Sequence, residues 1–169
     1  MKLHIGGTIV KDGWKILNIQ AGPGVDYVGD ISDLGQFAAR SVDEIYASHV
    51  LEHVRAADVE KTLGGIFRVL KTGGRFLVSV PDMDVLSRVM LEASMPAELK
   101  RHFIGMIFGG QKDAYDYHYF GWNFQLMQYF FDEAGFMETR RVESLGLFDD
   151  TSEMLALGQP ISLNAIAIK

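Results

Sequence analysis

Ser41-Val42-Asp43-Glu44-Ile45-Tyr46-Ala47-Ser48-His49-Val50-Leu51-Glu52-His53-Val54 and, after a helical stretch, Leu70-Lys71-Thr72-Gly73-Gly74-Arg75-Phe76-Leu77-Val78-Ser79-Val80-Pro81-Asp82 decide the fold. Glu44 to Ala47 reads as a short buried strand, and His49 to Val54 as a polar junction. From Arg55 to Leu70, apolar residues recur at Val59, Leu63, Ile66, Phe67 and Leu70, one face of an amphipathic helix. Asp58 and Glu60 near its start and Arg68 and Lys71 near its end match the helix dipole. Gly73 and Gly74 are read as its stop, and Phe76 to Val80 as a second strand closed by Pro81. A β-α-β unit of this kind pairs its strands in parallel through a right-handed crossover. Gly64 and Gly65 lie inside the helix, where each costs about 1 kcal/mol relative to Ala; close packing on the sheet is the expected reason.

Working outward, Lys2 to Thr8 reads as a very short strand opening into the Gly6-Gly7 turn, where main-chain N–H groups can approach a ligand or simply close a turn. Trp14 to Ile19 and Val25 to Asp30 are two further strands, each with a polar residue, Asn18 or Asp30, at its end. Ser32 to Arg40 is a short helix or turn. The connectors are too short for crossover helices, so this part of the sheet is expected to be thinly covered, with Trp14 beside exposed apolar surface. Such surface marks interfaces, and a homodimer is expected. Downstream, Met83 to Ser94 and Ala97 to Phe108 are helices divided by Pro96. Tyr115 to Trp122 is a polar-aromatic loop, read either as a lid over a planar or sugar acceptor or as packing on the sheet. Asn123 caps a helix running to Ala134, with Leu126, Met127, Phe130 and Phe131 inward. Phe136 to Ser144 is a strand, Gly146 to Pro160 a loop, and Ile161 to Ile168 the last strand.

The chain has 169 residues, a net charge of −6, 48% hydrophobic residues and no cysteine. This suits one domain over residues 1–169 with a real core. It excludes thiolate nucleophiles and disulfides. Without a basic cluster, duplex nucleic acid and anionic membrane are not expected partners. No apolar run approaches the ~18 residues of a membrane span, and with no secretory signal in the sequence the cytoplasm is the expected compartment.

Ser48 to Val54, Arg68 to Arg75 and Ala134-Gly135-Phe136, in this order of strands and helices, resemble the class I S-adenosylmethionine (SAM)-dependent methyltransferases. Within them, the chain is most similar to small bacterial members related to methyltransferase type 11. The resemblance covers essentially the whole chain. It implies an α/β Rossmann-like, mostly parallel seven-stranded sheet in the order 3-2-1-4-5-7-6 with the last strand antiparallel, here with shortened N-terminal helices. It also implies SAM as cofactor, bound by Gly6, Gly7, Asn18, Asp30, Ile31, Ser48 and His49. The aromatic loop with Asp116 and His118 suits a small-molecule or saccharide acceptor, whose proton His49 or His118 is expected to take. The match departs from the family at the front. Only the first of three alternating glycines is in register, the ribose-binding acid is Asn18, and the helix whose N-terminus faces the methionine carboxylate is missing. Weak SAM binding is the expectation, and a non-catalytic binding or scaffolding protein with an eroded site is the alternative.

His49-x-x-Glu52-His53 also has the spelling of inverted zinc proteases. A similar E-x-x-E-H stretch holds magnesium in small-RNA 2′-O-methyltransferases, with His49 here in place of the first Glu. No third ligand stands at a convincing spacing, so no metal site is assigned. Glu52 and His53 are read as capping and orienting the strand–helix junction, with a metal-dependent hydrolase as the minor alternative.

Overall fold

The computed structural model describes residues 1–169. Seven strands form one sheet: β1 (Lys2–Ile5), β2 (Trp14–Asn18), β3 (Tyr27–Val28), β4 (Val42–Ser48), β5 (Leu70–Pro81), β6 (Glu138–Val142) and β9 (Ser162–Ile168). Their order is β3-β2-β1-β4-β5-β9-β6, the expected order with β9 as the seventh strand. β1 pairs in parallel with β2 and β4, and β4 with β5, whereas β9 runs antiparallel to both β5 and β6. β7 (Leu155–Ala156) and β8 (Gln159–Pro160) form a separate small hairpin.

Four helices accompany the sheet: α1 (Val59–Val69), α2 (Met83–Leu91), α3 (Ala97–Phe108) and α4 (Phe124–Glu133). Alternation along the central strands divides the core. Ile45 and Ala47 of β4 and Phe76, Val78 and Val80 of β5 pack toward α1 and α4, with Leu63, Ile66, Met127 and Phe131. Tyr46 and Leu77 face the other way, into a cluster with Trp14, Ile166, Leu145 and Phe148. The segment after β6 lies across that second face, with a 3-10 turn at Thr151–Glu153 against Tyr46 and Ser162.

This corrects the expectation of a bare front sheet. Trp14 is 8% exposed and meets Phe148 edge-on at 5.4 Å, while Ile9, Val10, Ile19 and Val28 stay exposed around the first three strands. Residues 31–40 form turns rather than a helix. Helix α1 starts four residues later than expected, because Val54 and Arg55 are extended between two 3-10 turns, Leu51–His53 and Ala56–Asp58. Leu70 leaves the helix straight into β5. Gly73 and Gly74 therefore do not stop α1. They form a bulge in β5, between the pairs Val42–Leu70 and Glu44–Arg75. Gly73 has φ +74°, and a β-carbon on Gly74 would stand 2.8 Å from the Lys71 carbonyl oxygen. Leu126, expected inward, is 41% exposed.

Close packing does not explain Gly64 and Gly65, since no atom lies within 4 Å of where either β-carbon would be. Replacing both with Ala is expected to raise stability by about 1–2 kcal/mol. The check is urea unfolding, with a higher midpoint at unchanged slope; a lower midpoint would contradict it.

Candidate functional site

β1 leads outward to β2 and β4 leads the opposite way to β5, so the loops at their carboxyl ends diverge and leave a crevice, the topological switch point of an open sheet. A cavity of about 390 Å³ lies there, floored by Ile5, Leu17 and Val54. Its volume falls in the range of small-molecule sites. Gly6, Asn18, Asp30, Ile31 and His49 line it, so five of the seven residues expected to bind a cofactor come together. Gly6 has φ +74°, and a β-carbon there would meet Val50 Cγ2 at 2.4 Å. Glycine is what keeps this turn both left-handed and close to the Val50 loop.

Gly7 and Ser48 are not in the cavity. Gly7 is buried against the His4 ring, where a β-carbon would lie 2.4 Å from Cε1. Ser48 ends β4 on the same face as Tyr46, and its hydroxyl donates to Asp150 Oδ1 at 3.2 Å. Asp150 Oδ2 accepts from the Tyr46 hydroxyl at 2.8 Å, so these groups pin the segment after β6 to the sheet.

Asn18 reaches the cavity with its amide already engaged: Nδ2 donates to the Gly7 carbonyl at 3.1 Å and Oδ1 accepts from Gln20 N at 3.0 Å. Of Asp30, only Oδ1 is engaged, by Ser32 N at 2.8 Å. Arg55, passed over in the sequence, is the only Lys or Arg lining the cavity. Its guanidinium lies 5.4 Å from the Tyr119 ring centroid. Lys11 is turned away, donating to the Leu147 carbonyl at 2.6 Å. The aromatic loop divides its roles: Tyr115 and Tyr119 line the cavity, whereas Trp122 is fully buried and packs on Phe120 and Phe130.

His49 takes φ +53°, a left-handed conformation rare outside glycine. Its Nε2 lies 2.9 Å from Ser162 Oγ, and Nδ1 lies 3.3 Å from Glu52 Oε1. His118, the other expected proton acceptor, does not line the cavity. Its Nδ1 donates to the Met106 carbonyl at 3.0 Å and its Nε2 lies 4.0 Å from Glu52 Oε1. Burial, the largest influence, lowers its pKa, Glu52 opposes this, and the nearby His53 and His49 reinforce it. A third donor therefore does stand beside Glu52 and His53, contrary to the sequence expectation. It escaped notice because it comes from an irregular loop far along the chain. The Glu52 carbonyl holds that loop by accepting from Tyr119 N at 2.8 Å.

Residues 13–78, from β2 into β5, match the family model described as a methyltransferase domain. No curated protein matches the sequence. Among solved structures, a SAM-dependent methyltransferase from Thermotoga maritima superposes with a TM-score of 0.61 at 19% identity, over 99% of this chain and 81% of that one. A SAM-dependent methyltransferase from Archaeoglobus fulgidus does so with a TM-score of 0.61 at 13% identity, over 99% and 85%. The 1,6-didemethyltoxoflavin-N1-methyltransferase of Burkholderia thailandensis, with bound 1,6-didemethyltoxoflavin and S-adenosylhomocysteine, gives 0.60 at 14% identity, over 99% and 70%. The chain thus shares the fold of these methyltransferases and, over β2 to β5, is similar to the methyltransferase-domain family.

Proposed function

We propose that the protein is a methyltransferase that binds SAM in the cavity at the switch point and methylates a small acceptor. The observation that carries this is the convergence of Gly6, Asp30 and His49 on one cavity at the carboxyl ends of the strands. The donor set suits an adenosine: an open glycine turn, a carboxylate with a free oxygen, and an Asn amide with one N–H and one lone pair still available. SAM, when bound, supplies a methyl group activated on a sulfonium. The protein's contribution is then mostly orientation. Asp30 accepts from the adenine or ribose, Gly6 allows close approach, and Arg55 meets the methionine carboxylate in place of the missing helix N-terminus. Tyr115 and Tyr119 offer flat apolar surface to the acceptor, and the Nδ1 of His49, a cavity-lining residue, takes the acceptor's proton. Duplex nucleic acid is not among the proposed partners. No helix is long and apolar enough to cross a membrane, and we assign the protein to the cytoplasm.

Calorimetric titration with SAM is expected to give one site per chain with a Kd well above micromolar, because Asn18 is neutral and half engaged. Labelled SAM should then pass its methyl group to an acceptor. Absence of heat at millimolar SAM would contradict the proposal. Arg55→Ala is expected to weaken SAM about three- to tenfold and leave 5′-methylthioadenosine, which lacks the carboxylate, unchanged. Equal losses for both ligands would remove Arg55 from that role. The engaged Asn18 amide favours a second reading, a non-catalytic binding protein, which would bind SAM without transfer to any acceptor.

A further inference from the structure

Glu52 is 1% exposed. Neither of its carboxylate oxygens accepts a hydrogen bond. A buried carboxylate without donors is costly and calls for an explanation. Its neighbours deepen the problem, because each is an imidazole whose proton is committed elsewhere. His53 Nδ1 lies 3.0 Å from the Tyr117 carbonyl and His118 Nδ1 lies 3.0 Å from the Met106 carbonyl. A carbonyl only accepts, so both Nδ1 atoms carry the hydrogen and both Nε2 atoms of the neutral rings present lone pairs. The same logic reaches His49. Ser162 donates its one hydroxyl proton to the Thr151 carbonyl at 2.9 Å. His49 Nε2 must therefore donate to Ser162, leaving the bare Nδ1 of the neutral ring 3.3 Å from Glu52 Oε1.

Acceptors thus converge with no hydrogen among them. One ligand atom each from Glu52, His53 and His118 lies within 4.8 Å of the others. Imidazoles held through Nδ1–H to a main-chain carbonyl, with Nε2 free, have the outer-shell arrangement of metal-binding histidines. From this geometry we propose that Glu52, His53 and His118 form a binding site for one divalent first-row transition metal ion. Two imidazoles and a carboxylate suit zinc, cobalt, manganese or iron, and disfavour magnesium and calcium, which take all-oxygen shells. Three protein ligands leave at least one coordination position open. His53 is both a ligand and part of the cavity wall, so that position lies next to the cavity, where an oxygen of a small ligand can fill it. Metal binding at these residues does not depend on the methyl-transfer proposal.

The test uses full-length protein stripped with chelator and titrated with Co²⁺, followed by its visible absorption, and with Zn²⁺ by calorimetry. The expected result is one ion per chain, with affinity reduced at least about tenfold in Glu52→Gln and in His118→Ala, and unchanged in His102→Ala, a histidine outside the cluster. Zn²⁺ should raise the Tm of the parent and not that of the two variants. Should Glu52→Gln lack native circular dichroism, His53→Ala, whose ring stands at the cavity wall, takes its place with the same expected loss. Absence of saturable binding below millimolar metal by folded parent protein would overturn the proposal and leave a shared proton as the occupant. Binding that persists unchanged in the cluster variants would overturn it as well.

Discussion

Asp30→Ala is expected to raise the Kd for SAM by about ten- to a hundredfold. The Asp30 carboxylate stands at the cavity edge with one oxygen held by Ser32 N and the other free. A hydrogen bond to a charged group contributes about 1.5–3 kcal/mol, and each ~1.4 kcal/mol is tenfold in affinity. The fold should survive, because Asp30 is exposed and loses a single local turn bond, a change of about 1 kcal/mol or less. The effect is specific to ligands bearing the nucleoside. Calorimetry with SAM and adenosine should show parallel losses, whereas unchanged affinity would remove Asp30 from the site.

The second large effect is on acid stability. His4 is packed in an aromatic cage, 4.1 Å from the Phe148 centroid and 5.0 Å from that of Tyr46. Burial, only partly offset by Asp150, lowers its pKa from 6.5 to about 4. The unfolded chain therefore binds this proton at higher pH than the folded one. Stability is complete above pH 6.5 and falls as the pH drops toward 4, where the loss levels off. At ~1.4 kcal/mol per pH unit the loss is about 3 kcal/mol. His4→Leu should flatten this part of the pH dependence, measured by urea unfolding at several pH values between 4 and 7. An unchanged slope would show that other groups carry it.

The parts of the fold that sequence made legible are those with local, repeated signals. The apolar stripe of α1, the β-branched run of β5, the Asn123 cap and the Gly135 stop all lie within a few residues of what they determine. Asn123 Oδ1 does accept from Leu126 N, at 2.9 Å, and Gly135 has φ +97°. The packing of Phe148 and Asp150 onto Trp14, Tyr46 and Ser48 was not legible. It joins residues remote in sequence through a segment without periodicity, and missing it produced the mistaken expectation of a thinly covered sheet around Trp14. Ser48 is a different case. Period-two alternation from Ile45 and Ala47 puts it on the face of Tyr46, so its absence from the cavity could have been read from β4 alone. At the site, Gly6, Asn18, Asp30 and His49 follow from strand ends and therefore from the order of elements. Arg55 and His118 come from irregular backbone, whose course is set by tertiary contacts such as the bonds from Tyr119 N and Phe120 N to the Glu52 carbonyl.

The claim that the switch-point cavity is the cofactor site is tested most directly by following backbone amide resonances as S-adenosylhomocysteine is added. The account predicts saturable shifts at Gly6, Asn18, Asp30, Ile31 and His49, with Leu155 and Leu157 of the small hairpin, which do not line the cavity, unmoved. Shifts confined to other surfaces, or none at millimolar ligand, would contradict it.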